Sequence, residues 1–232
     1  MYRDHFISAI IPALNEESSI GLVLAGLPSE IDKVIVCDNG SDDRTAAVAR
    51  QGGAQVVTEP QRGYGAACLK AAQALDPKTD LILFLDADYS DHPEQALKLL
   101  EPLVNSESDM VIGSRMIWPE SRAALPPVAR FGNWLAASLM RRLWNTDFSD
   151  LGPFRAIRYQ SYLALGMRDR DFGWTVEMQI RAAKIGLRSV EIPVSYRKRI
   201  GRSKISGTII GSIRAGTKIL YLIFREAVTP DQ

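Results

Sequence analysis

Leu81-Ile82-Leu83-Phe84-Leu85-Asp86-Ala87-Asp88 decides the fold: five apolar residues run unbroken into two carboxylates separated by one small residue. An apolar run without alternation reads as a strand buried on both faces, the habit of parallel sheets. Upstream, residues 6–11, 31–37 and 54–58 have the same character, and downstream so do 110–113. Between them, 16–27 (capped by Asn15), a stretch from Ser41 or Asp42 to 50, one from the turn at 62–65 to about 75, and 92–104 (with Pro93 in its first turn) read as helices. Strand, helix, strand, helix with short links predicts an α/β fold with a mostly parallel central sheet flanked by helices.

The second half is less regular. A loop is expected over 114–127, a helix over 128–144, and a loop over 148–154 that enters a short apolar piece. Helices over 159–165 and 173–185, a strand over 188–194, a basic loop over 197–204 and an amphipathic helix over 205–226 complete the chain. One domain is expected, with residues 1–115 as a nucleotide-binding half, 116–204 as an acceptor half and 205–226 as a closing helix.

Composition narrows the class. The 232 residues are 46% apolar with a net charge of +1, which gives no pointer to nucleic acid, and no nucleic-acid partner is expected. Cys37 and Cys68 lack metal-ligand spacing and read as reduced packing residues. No secretory leader is visible and no apolar run reaches the roughly 18 residues of a membrane span, so no transmembrane helix and a cytoplasmic location are expected.

In an open parallel sheet, ligands sit at the carboxyl ends of the strands. Asn15 and Glu16, Asp38 to Ser41, and Asp86 with Asp88 follow the first, second and fourth strands and so converge on one edge. Two carboxylates there suit a hard cation, Mg²⁺ or Mn²⁺, that neutralises a diphosphate; the competing reading is a solvated turn. In Asp38-Asn39-Gly40-Ser41 an acid is placed to accept from a base edge or ribose, Gly40 allows close approach, and Ser41 suits a cap. Arg62-Gly63-Tyr64-Gly65 opens a helix, either with amides toward an anion or as a tight turn with Gly65 packed on the sheet. Arg197, Lys198, Arg199, Arg202 and Lys204 form a basic run suited to phosphate, or else a solvated surface. Glu177 follows Trp174 and faces either a ligand or solvent. His5 and His92 read as structural or surface residues, and no Ser–His–Asp set is visible.

With these residues in hand, the chain resembles family-2 glycosyltransferases of the GT-A fold, closest to the branch of dolichyl- and polyprenyl-phosphate sugar synthases. Pro12-Ala13-Leu14-Asn15-Glu16 is similar to the family's opening Pro-Ala-Tyr-Asn-Glu, and Asp38-Asn39-Gly40-Ser41 to its Asp-Asp-Gly-Ser. Asp86-Ala87-Asp88 matches its metal motif, Gly113-Ser114-Arg115 the segment after the fifth strand, and Gly152-Pro153-Phe154-Arg155 resembles its Ser-Gly-Phe-Arg. Arg199 to Lys204 resembles its Arg-x-Gly-x-Ser-Lys loop. Leu14, Asn39, Ser90 and Pro153 depart from the pattern.

The resemblance implies an inverting transfer from a UDP- or GDP-linked sugar. Pro12, Asn15, Glu16, Asp38, Gly40, Arg62, Asp86 and Arg115 are then the donor-binding set, and Asp86 and Asp88 hold the metal. Asp150, Arg199, Arg202 and Lys204 form the catalytic set, with Asp150 as base if the acceptor is a hydroxyl. A polyprenyl phosphate is the expected acceptor. A soluble saccharide or small molecule is the alternative, and a nucleotide-binding regulator without turnover is the reading from another class. The apolar face and basic stripe (Arg214, Lys218, Arg225) of 205–226 carry a further expectation, peripheral contact with the inner face of the membrane.

Overall fold

The structure, a computed structural model, describes residues 1–201 and 209–229. Strand β1 (Ile7–Ala13) is the hub of the sheet, buried along its whole length. It pairs in parallel with β2 (Lys33–Asp38) on one side and β4 (Leu81–Phe84) on the other, and β3 (Gln55–Thr58) adds in parallel to β2. Helices α1 (Ile20–Gly26), α2 (Thr45–Gln51) and α3 (Tyr64–Ala72) make the crossovers. After a 3-10 turn at Pro93–Gln95 comes α4 (Ala96–Val104), which leads to β5 (Met110–Ser114).

β5 does not pair with β4. A later strand, β6 (Arg155–Arg158), is inserted between them and runs antiparallel to both, and β7 (Ser189–Pro193) closes the edge in parallel with β5. The sheet order is therefore β3-β2-β1-β4-β6-β5-β7. The remaining helices are α5 (Pro119–Ala124), α6 (Pro127–Trp144), α7 (Tyr159–Leu165), α8 (Trp174–Lys184) and α9 (Ile209–Val228).

Strand side chains alternate between two cores, as the period of two requires. Ile10, Ile35, Ile82 and Phe84 pack with α3, α6, α7, α8 and α9. Ile7, Ala9, Ile11, Leu81 and Leu83 pack with α1, α2 and α4 on the other face. Both faces are covered, which accounts for the unbroken apolar strands. Cys37 and Cys68 are free, buried thiols in the first of these cores.

Several expectations change. Asn15 does not cap the first helix: it sits at φ +52°, its side-chain oxygen accepts from the Asp42 amide at 2.8 Å, and the helix starts only at Ile20. The 114–127 loop contains α5, and the apolar piece after 154 is β6. α9 packs against α6 and α8, with Leu222 and Ile223 fully buried. Lys218 is spent on Asp169 at 2.8 Å and Arg225 on Glu226 at 2.6 Å, so two of the three stripe cations are already paired within the molecule. No helix among the described residues is long and apolar enough to cross a membrane.

Candidate active site

The register of the parallel strands fixes the site. Ala13 lies opposite Asp38 and Ile10 opposite Phe84, so the chain beyond Phe84 carries Asp86 and Asp88 alongside the end of β1. The edge opens into a cavity of 1470 Å³ whose wall includes Pro12, Glu16, Arg62, Asp86, Asp88 and Arg115. Arg199 lines it as well. Asn15, Asp38 and Gly40 lie outside that wall, in the turns that shape it. Asp38 accepts from the Ser41 amide at 3.1 Å, and Ser41 Oγ accepts from the Asn15 amide at 2.9 Å. Gly40 holds φ +84°, which a residue without Cβ adopts freely. Arg202 and Lys204 fall outside the described residues.

The acidic loop is short of positive partners. Asp86 is half-buried, but its Oδ1 is shut off from solvent and has no hydrogen-bond partner; Asp91, fully buried, leaves its own Oδ1 unpartnered. Burial, then the nearby charges of Asp88 and Asp91, push the Asp86 carboxyl well above the usual range. Burial likewise takes Asp91 up to about 7, opposed by Arg115 and reinforced by Asp88. Asp88 is better supplied: its Oδ1 accepts from the Ser90 amide at 2.9 Å and the Ser90 hydroxyl at 2.6 Å, and its Oδ2 lies 3.2 Å from Arg199. Crowded carboxylates with idle buried oxygens fit a hard divalent cation. Among the described residues no three His, Cys, Asp or Glu side chains group closely enough to hold one unaided. That matches a cation taken up through one or two carboxylates plus phosphate oxygens.

A basic segment folds over this loop. Tyr196 bridges to Asp91, the Arg197 amide donates to Ser90 O at 3.0 Å, and the Ile200 amide to Asp88 O at 3.0 Å. The Arg197 guanidinium stacks 3.6 Å over the Tyr89 ring and donates to the carbonyls of Tyr89 and Asp91. Arg199 donates to Glu16 Oε1 at 2.6 Å, tying the end of β1 to Asp88.

Asp150 stands behind the cavity wall, fully buried. Its Oδ2 accepts from the Arg115 amide and Nε, each at 2.8 Å, and its Oδ1 from Arg115 at 2.8 Å and Asn133 at 2.6 Å. Burial alone would raise its carboxyl, but the Arg115 guanidinium outweighs burial and holds it below the usual range. A saturated carboxylate of lowered pKa orients Arg115 and is poorly suited to take a proton. Glu177, expected to face ligand or solvent, is fully buried; it accepts from the amides of Arg168 and Asp169 at 3.0 and 2.7 Å and from Arg181 at 3.1 Å.

Arg62-Gly63-Tyr64-Gly65 is a packed turn, against the loop over 169–171 and not the sheet. The amides of Gly65 and Ala66 donate to the carbonyls of Asp171 and Arg170, so they do not face an anion. Asn39, a departure from the family pattern, organises this turn: its amide donates to the carbonyls of Glu59 and Gln61 and its oxygen accepts from Gly63 N at 2.8 Å. Asp91, Asn133, Asp171 and Tyr196 were not singled out from sequence. Only Asp91 carried a readable signal, a third acid three residues after Asp88.

Residues 8–166 match the model of glycosyl transferase family 2. The chain belongs to that family. It is a glycosyltransferase of the GT-A fold acting on a nucleotide-diphosphate sugar. An uncharacterised glycosyltransferase of Mycobacterium tuberculosis is 39% identical over 210 residues, 90% of this chain and 94% of that protein. A dolichyl-phosphate hexose transferase of Haloferax volcanii is 30% identical over 95% of both chains. Glucosyl-3-phosphoglycerate synthase of M. tuberculosis superposes with a TM-score of 0.76 at 22% identity, over 99% of this chain and 82% of that one. That synthase has been solved with Mn²⁺, UDP and glucosyl-3-phosphoglycerate, and with Mn²⁺ and UDP-glucose.

The narrower placement of this family-2 member beside the polyprenyl-phosphate synthases is corrected by these findings. The mycobacterial relative shares more of its sequence than the dolichyl-phosphate enzyme does, and glucosyl-3-phosphoglycerate synthase is among the solved structures that superpose over nearly the whole chain.

Proposed function

We propose that this protein transfers a sugar from a UDP-linked donor to a hydroxyl of a small molecule, with a divalent cation of the Mn²⁺ class at Asp86 and Asp88. The observation that carries the reading is the pair of carboxylates at the end of β4, one with an idle buried oxygen, opening on the same cavity as Glu16, Arg62 and Arg199. The neighbours solved with UDP and Mn²⁺ support the base and the metal, and their phosphoglycerate supports a small acceptor. A bound cation would offset the charge that develops on the departing diphosphate.

The rest falls to the chain. Pro12, Glu16 and Asn39 border the nucleoside end, and Arg62 and Arg199 offer charge-assisted bonds to phosphate. The acceptor oxygen bonds to the anomeric carbon as the bond from that carbon to the diphosphate oxygen breaks, and UDP leaves with the electron pair. The hydroxyl proton goes to a carboxylate. Asp171, on the cavity wall with no partner for its carboxylate among the described residues, suits that task better than Asp150. Residues 1–115 supply most of the donor side, and the chain after 115 lines the rest of the cavity.

Calorimetry with UDP and GDP, each with and without Mn²⁺, tests the donor. UDP binding that strengthens at least tenfold with Mn²⁺, and release of UDP from a UDP-sugar panel, is expected. Equal binding with and without metal, or a preference for GDP, overturns the reading.

A further inference from the structure

At 1470 Å³ the cavity exceeds the roughly 300–1,000 Å³ of a cleft built for one ligand. Its polar end is the donor site described above. Its other end is of a different chemistry. Leu125, Leu135 of α6, and Ile219 and Leu220 of α9 line it, together with Val128 and Phe131 of α6, which are more than half exposed. The lining residues within 123–136 and 215–220 include no charged side chain. A carboxylate or phosphate entering this arm would lose its hydration with no cation among these residues to replace it.

Two glycines set the width of the arm. Gly132 on α6 and Gly216 on α9 both line it, and a Cβ built on either would meet nothing within 4 Å among the described residues. Glycine inside a helix is disfavoured against alanine. Among the described residues no neighbour's packing requires either one. They leave open space on both walls of a groove that is continuous with the carboxylates at the end of β4.

We propose that the arm between α6 and α9 receives the non-reacting part of the acceptor, and that the acceptor is therefore an uncharged alcohol or phenol with an apolar body. Gly132 and Gly216 are its specificity-determining positions. The inference rests on the hydroxyl-acceptor reading above and deepens it. The hydroxyl lies at the polar end, its oxygen bonds to the anomeric carbon, UDP departs and the proton passes to a wall carboxylate, while the body stays in the arm. Apolar burial supplies the affinity, and the polar end supplies orientation.

The test uses the full chain and a series of primary alcohols, 1-propanol, 1-hexanol and 1-octanol, beside glycerol and 3-phosphoglycerate. UDP release with Mn²⁺ and the accepted UDP-sugar gives KM. Displacement of Nile red by the same alcohols, without donor, gives binding alone. About 0.8 kcal/mol per buried methylene predicts roughly a fourfold fall in KM for each added methylene. Gly132→Leu and Gly216→Leu, which favour the helices they sit in, shift the cut-off to shorter chains and leave UDP affinity within twofold. A KM that does not change along the series, faster turnover with glycerol or 3-phosphoglycerate, or leucine variants with the wild-type slope overturns the proposal. If 1-octanol displaces Nile red from the wild type and not from the leucine variants while UDP fails to bind, the arm stands and the donor reading fails. If 1-octanol displaces none, the arm falls whatever the donor does.

Discussion

Asp86, Asp88 and Asp91 lie within six residues of one another and answer to different partners. Asp88 is held in place by Ser90 and Arg199, so it is pre-positioned, whereas Asp86 is left with an idle oxygen. Asp88→Asn can keep the bonds from Ser90 through its amide oxygen, but it removes the charge and with it the ion pair to Arg199. Turnover is expected to fall at least a hundredfold with a melting temperature within a few degrees of wild type. A folded variant with near-normal turnover would remove Asp88 from the metal site.

Asp91 sets a pH dependence. Its carboxyl, at about 7 in the folded chain, titrates near 3.9 when unfolded. The folded protein therefore keeps a proton that the unfolded chain has lost. That contribution to stability is complete below about pH 4 and disappears as pH rises through about 7. In chelator, the melting temperature should decline between pH 5.5 and 8, and Asp91→Asn should flatten the decline. Parallel slopes for the two proteins would show that Asp91 is not the group responsible. The third acid of this loop was visible in the sequence. What the sequence could not show is that Arg115 faces Asp150 and so leaves the loop undercompensated, because the two are 35 positions apart.

Among the elements, the parallel strands and most helices were legible, since their apolar periodicity is strong and caps or turns bound them. β6 was not. Arg155-Ala156-Ile157-Arg158 has two apolar residues between two arginines, and it is a strand because β4 and β5 both offer it an edge. Fully buried Arg155 is tolerated there because it donates to the carbonyls of Gly152 and Thr175. α5 is too short to show a period. The start of α3 shows where a glycine is required. A Cβ on Gly65 would stand 2.0 Å from the carbonyl oxygen of Asp169, and one on Gly63 2.1 Å from that of Arg170. Backbone cannot swing aside as a side chain can. Gly65→Ala should cost about 2–3 kcal/mol or more, read as a shift in urea midpoint at unchanged slope. A loss below about 0.5 kcal/mol would mean that the loop over 169–171 moves freely.

At the scale of the whole molecule, residue 115 does not divide the fold, in keeping with the single domain expected from sequence. β6 and β7 come from the second half and are built into one sheet with the first. Urea unfolding followed by tryptophan fluorescence and by far-ultraviolet circular dichroism should therefore give coincident transitions. Two separated midpoints would show that the halves fold as separate units. The cavity was legible where short motifs follow strands, at the ends of β1 and β4. The apolar arm was not, because its walls come from α6 and α9, about 80 positions apart, and each looks like an ordinary amphipathic helix when read alone.

The late arrival of β6 also bears on how the chain is made. β4 is complete at Phe84, but the strand that covers its free edge begins about 70 residues later, at Arg155. At roughly 5–20 residues per second of synthesis, that interval lasts on the order of 4–14 s. For those seconds a nascent four-stranded sheet leaves the ribosome with its most apolar strand bare along one side, a template on which a neighbouring chain could pair. Yield in the cell would then depend on the pace of translation across residues 85–158 and on chaperones that shield that edge, more than on the stability of the finished enzyme.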